Sequence, residues 1–88
     1  MTRIEFDAVV ESGRGGGVRV MLPPLASRVF GTRCMFPIRA TFNGVEYHGS
    51  TMPMGGGMFC VGLSTAVRSQ AAVDVGDAVH VVVERHTT

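Results

Sequence analysis

The sequence predicts a mainly β fold: a small, closed, six-stranded barrel of the split type with two short helices, in a single domain over residues 1–88. Three observations predict it. Apolar and polar residues alternate with a period of two through most of the chain, which is the signature of strands with one wet face. Asn43-Gly44, the preferred pair for a two-residue type I′ turn, sits between two such runs. A strand ending in leucine (Leu22, Leu63) is twice followed by a short helix, a glycine turn (Gly31, Gly76) and a long strand. Two unequal halves of this kind close into a barrel plugged by helices, which also protects the strand edges.

Each element follows in order. In "RIEFDAVVE" Ile4, Phe6, Ala8 and Val10 alternate with Arg3, Glu5, Asp7 and Glu11, giving a half-buried strand. "SGRGGG" breaks the chain, and "VRVML" resumes it. "PPLASRVFG" reads as a helix with proline in its first turn and Gly31 as its left-handed stop. "CMFPIRATF" then places Cys34, Phe36, Ile38, Ala40 and Phe42 on one face of a strand. The turn sets the register: Phe42 opposite Val45, Ala40 opposite Tyr47, Ile38 opposite Gly49, Thr41 opposite Glu46 and Arg39 opposite His48. Pro37 donates nothing to a ladder, so its N–H side belongs at an edge or a bulge. "MPMGGG" is a second breaker, and "MFCVGL" is apolar on both faces, as in a strand covered on both sides. "STAVRSQAAV" is a helix capped by Ser64, with Leu63, Val67 and Ala71 on one face. "AVHVVVE" is the last strand, and "RHTT" a frayed tail.

Composition excludes several functions. Eight arginines balance seven acidic residues, with no lysine, so the dense basic patch of a non-specific nucleic-acid binder is missing. Two cysteines make no disulfide framework, and "MTRIEFDAVV" is not a signal peptide. A cytoplasmic protein with free thiols is expected, and no apolar run has the length of a membrane span.

The order "LPPLASRVFG", "PIRATFNGVEYHGSTMPMGGG" and "VGLSTAVRSQAAVDVGDAVHVVVE" resembles a family of small bacterial proteins known only as a domain of unknown function, number nineteen-oh-five. The resemblance runs from about Ile4 to Glu84, and "AVR" followed by "VGDAVHV" carries most of it. It implies a compact closed barrel with two short helices, similar in architecture to the split barrels of the AbrB and MazE regulators. It implies no activity. The chain departs from the family's pattern at Cys34 and in the triple glycine.

The candidate sites follow from side-chain chemistry. Gly55–Gly57, like Gly13 and Gly15–Gly17, lacks the spacing, the lysine and the following helix of a phosphate-cradling loop. A strand connection is expected there, or else a lid over a pocket with Met52, Met54 and Met58 as apolar contacts, plain core filling being the stronger reading of these methionines. Arg68, early in the second helix with Ser64 and Thr65, suits an anion or else pairs with Asp74 or Asp77. Arg39, His48 and Ser50 form a cationic, hydroxyl-bearing strip that binds an anion or is simply solvated. Ser50, Cys60, His48, His80 and Asp77 are triad residue types without a catalytic motif, and Cys34 and Cys60 read as inert thiols in apolar strands. Single histidines and cysteines give no metal spacing. The expected function is a non-catalytic binding module, without metal or cofactor, for a small anionic ligand or a protein segment. Its expected site is where the "MPMGGG" loop meets the second helix, formed by Arg68, Arg39, His48, Ser50, Met54, Gly55, Gly56 and Ser64. A monomer or weak homodimer is expected. A DNA-binding regulator, through a cluster of Arg14, Arg19, Arg28 and Arg33, ranks second, and a small enzyme third.

Overall fold

Alternation converts into two packed sheets. The computed structural model describes residues 3–13, 17–32 and 34–86. Arg14, Gly15, Gly16 and Arg33, invoked above in the first glycine loop and the basic cluster, lie outside the described residues. The elements run β1 (Arg3–Val9), β2 (Glu11–Ser12), β3 (Val18–Met21), α1 (Ala26–Phe30), β4 (Pro37–Phe42), β5 (Val45–Ser50), β6 (Met52–Gly55), β7 (Met58–Gly62), α2 (Thr65–Ala71) and β8 (Ala78–Arg85). One antiparallel sheet has the order β1-β8-β4-β5, the other β2-β3-β7-β6.

The expected closed six-stranded barrel is therefore corrected: neither sheet closes on itself. The chain crosses between the sheets at two corners, Val10 between β1 and β2 and Thr51 between β5 and β6. There the backbone turns to loops instead of a neighbouring strand. Val10 N–H donates to Asp77 O and Val10 O accepts from Gly76, while Thr51 N–H donates to Phe36 O. Thr51, fully buried, also accepts from Phe36 N–H through its hydroxyl, at 3.2 Å.

The β4–β5 hairpin has the expected register at all five predicted pairs. Asn43 (φ 50°) and Gly44 (φ 85°) both take the left-handed conformation that a type I′ turn demands. Pro37 is the first residue of β4, and the ladder to β8 begins one residue later, at Ile38. The strand expected from Cys34 starts only there, so Cys34 is exposed in a bend rather than buried in an apolar strand. Gly31 ends α1 with φ 68°, and Ser64 caps α2 by accepting from Val67 N–H. The tail is held further than expected: Arg85 belongs to β8, its guanidinium donates to Phe30 O, and His86 N–H donates to Pro37 O.

The core joins Ile4, Ile38, Ala40, Phe42, Val79, Val81 and Val83 of the first sheet to Val20, Phe59 and Val61 of the second. Phe30 from α1 and Leu63, Val67 and Ala71 around α2 seal its ends. The radius of gyration, 12.0 Å, is about the ~12 Å expected of a compact chain of this length.

The repeat noticed at Leu22 and Leu63 extends over both halves. Moving any pairing by 41 positions (63 − 22) gives another: β1·β8 becomes β5·β4, β2·β3 becomes β6·β7, and β3·β7 and β4·β8 map onto themselves. Val20 opposite Val61 lies on the resulting pseudo-twofold axis. The corners Val10 and Thr51, and the helix stops Gly31 and Ala72, are equivalent positions.

Candidate functional site

The residues expected to form one site do not come together: Arg68, Arg39 with His48, and Met54 line three separate depressions. Arg68 is half-buried beside Thr65, Ser69, Ala72, Val73, Asp74 and Asp77. Its guanidinium donates to Thr65 Oγ1 at 3.2 Å and stands 3.8 Å from Asp74 Oδ1. Asp77 is held in the same turn by accepting from Asp74 N–H. The two carboxylates make this a poor seat for an anion.

Arg39 and His48 face outward from the first sheet, in a shallow hollow with Glu84, Arg85 and His86. Arg39 donates to Glu84 at 2.8 Å and lies 3.7 Å from Glu46. The hydrogen bond and charge of Arg39 hold the Glu84 carboxyl below its usual range. His48 stands 3.3 Å from Glu46 and packs edge-on against His86. Ser50, exposed at the end of β5, is paired with Pro37. This strip is a solvated face of interleaved charges. Its continuation holds His80 between Asp7 and Glu5, at 2.8 and 2.6 Å.

Met54 belongs to a different place, a cavity of about 550 Å³ on the outer face of the second sheet. It is lined by Gly13, Gly17, Val18, Arg19, Met52, Met54, Cys60 and Gly62. Strand pairing explains this lining. Val20 and Val61 oppose each other and enter the core, so their neighbours Arg19, Cys60 and Gly62 take the outer face. Gly62 is the bare floor: a Cβ there would stand 3.9 Å from Met52 Cε. Gly13 N–H donates to Gly17 O, and the Arg19 guanidinium packs against Gly13, 3.2 Å from where a Cβ would sit. Arg19 Nε is buried with no hydrogen-bond partner among the described residues. Burial pushes the Cys60 thiol above its ordinary range; the charge of Arg19 opposes this and that of Glu11 adds to it.

Gly55 and Gly56 sit at the tip of the β6–β7 hairpin. Gly55, Gly56 and Gly57 have φ of 83°, 63° and 79°, three successive left-handed residues that side chains would strain. The triple glycine is a tight turn, at a strand pair that also contains a bulge between Pro53 and Gly55. Ser64 is occupied as the cap of α2.

Sequence reasoning missed Arg19, Met52, Cys60 and Gly62 as a group. The available signal was "MFCVGL", apolar on both faces: its second face is the wall of this cavity. Cys60 and His80 lie on the outer faces of different sheets, so these two do not converge. Among the described residues, no three His, Cys, Asp or Glu side chains are grouped to hold a metal ion, and no helix is long and apolar enough to cross a membrane.

The chain belongs to the family described as Domain of unknown function (DUF1905), whose model matches residues 6–83. No curated protein matches it.

Proposed function

We propose that this member of the DUF1905 family is a non-catalytic binding module whose site is the cavity on the outer face of the second sheet. Its ligand is a small amphiphilic anion. The observation that carries this reading is a cavity of about 550 Å³ whose lining combines apolar walls with one cationic side chain, Arg19. That volume falls within the roughly 300–1,000 Å³ of ligand pockets, which are mostly apolar with a few placed polar groups. Val18, Met52 and Met54 would bury the ligand's hydrocarbon, methionine being suited to irregular shapes. The Arg19 guanidinium would supply a charge-assisted hydrogen bond to the ligand's anionic group. The module works as a monomer or weak homodimer in a reducing cytoplasm, a reading supported by its two free thiols.

The arginines outside the basic cluster give the regulator reading less support: Arg3, Arg39 and Arg68 face carboxylates, and Arg85 donates to a carbonyl. Such groups have fewer free donors for phosphates.

The test uses 8-anilinonaphthalene-1-sulfonate, an amphiphilic anion that fluoresces in apolar surroundings. Saturable binding at one site is expected, weakened about tenfold by Arg19→Gln, or ~1.4 kcal/mol. Arg39→Ala and Arg68→Ala should leave it unchanged. Loss of binding in either of these with no effect of Arg19→Gln would return the site to the first sheet or the α2 end.

A further inference from the structure

Sulfur is concentrated on one face of the molecule. Four of the chain's six methionines (Met21, Met52, Met54, Met58) and one of its two cysteines (Cys60) fall on three adjacent strands, β3, β7 and β6. Their register aligns them. Cys60, on the central strand, is directly opposite Met21 of β3 on one side and Met52 of β6 on the other. Residues directly opposite in an antiparallel pair share a face, with Cβ atoms about 4.5–5.5 Å apart. Here that face is the outer one, because Val20, Phe59 and Val61 take the core.

Two further observations concern Met52 and Cys60. Met52 reaches back across β7, its Cε 3.9 Å from the position a Cβ on Gly62 would take. Cys60 points away from the core and is nevertheless only 1% exposed, so its thiol is covered from outside. Met52, Met54 and Cys60 all line the cavity.

Thiolate and thioether are soft donors, and that combination selects copper(I) over the harder divalent ions. We propose that Cys60, Met21 and Met52 form a three-sulfur site for copper(I). Binding breaks the Cys60 S–H bond and forms a Cu–S bond; the proton passes to solvent, and neither copper nor sulfur changes oxidation state. The two thioethers complete the coordination as neutral donors. The site goes beyond the amphiphile reading and stands on the strand register, so either can hold without the other.

The test is an anaerobic competition in which the intact chain takes copper(I) from a coloured chelator. One ion per chain is expected, with an ultraviolet thiolate-to-copper charge-transfer band. Cys60→Ser should weaken uptake at least 100-fold, and Met21→Leu and Met52→Leu at least tenfold each. Leucine conserves volume, so these two variants keep the fold, which a thermal melt checks; they decide the matter should Cys60→Ser not fold. Cys34→Ser should take up copper(I) as the natural chain does. The proposal is overturned if the natural chain leaves copper with the chelator, if uptake survives Cys60→Ser, if it is lost in Cys34→Ser, or if both methionine variants are unaffected. Since Met21 is not among the residues lining the cavity, Met21→Leu is expected to weaken copper(I) uptake and leave binding of the fluorescent sulfonate unchanged, so failure of one reading is distinguishable from failure of the other.

Discussion

His80 shows how a single position can be legible in type and illegible in environment. It alternates with valines, which reads as a satisfied, half-buried strand histidine; it is a satisfied strand residue, but an exposed one. Nothing in "AVHVVVE" says that Asp7 and Glu5, more than seventy residues away, flank it. That pairing comes from the β1·β8 register, in which Asp7 opposes His80. Its hydrogen bond to Asp7, then that to Glu5, raises the His80 pKa above the ordinary 6.5. A raised folded value means that protonation favours the folded state. The contribution is fully present below about pH 6.5 and disappears as the pH climbs through the raised value. His80→Gln should therefore be destabilising at pH 6 and progressively closer to neutral toward pH 8 and above, measured as the difference in urea midpoint from the natural chain. A difference that grows with pH would contradict the pairing. Cys60 was legible as an apolar strand residue, and its methionine neighbours were not, for a related reason: Met21 and Met52 stand opposite it on other strands, which spacing along the chain does not reveal.

Among the elements, the β4–β5 hairpin was the most readable because two independent signals agree on it. The Asn43-Gly44 turn fixes which residues face each other, and alternation fixes which face is inside. The corners were unreadable because alternation passes through them without a break. Val10 and Thr51 both continue a period-two pattern, and only the diversion of their backbone bonds to Asp77 and Phe36 divides one long strand into two. The helix ends separate in the same way. Gly31 announces the end of α1, but the matching position after α2 is Ala72, held at φ 56° and ψ 43°. A left-handed alanine costs roughly 1–2 kcal/mol, against the roughly 0.5–1 kcal/mol that glycine loses in chain entropy. Ala72→Gly should consequently stabilise the fold by about 0.5–1 kcal/mol, a rise in Tm of about 3–6 °C for a domain of this size. An unchanged or lower Tm in a calorimetric scan would mean that the strain at Ala72 is relieved in some other way.

At the scale of the whole molecule, the two sheets act as one object only if the corners and the shared core couple them. The pseudo-twofold repeat makes coupling necessary. In each half the chain begins in the first sheet, crosses at a corner to the second, and returns through a helix, so neither sheet is built from a continuous stretch of sequence. Loop-joined sheets from separate halves would give two units of different stability; this interleaving predicts a single one. Val20 tests it. It lies in the second sheet on the pseudo-twofold axis and is fully buried against Val61 and its neighbours. Val20→Ala removes the equivalent of two methylenes and leaves a small cavity, costing about 2 kcal/mol. If the molecule opens as one unit, the amides of Val81 and Val83 in the first sheet should lose protection against hydrogen exchange by the same ~30-fold as those of β7. Loss confined to β3, β7 and β6 would mean that the sulfur-lined sheet opens by itself. The cavity would then be formed by a labile surface element rather than held by the full core.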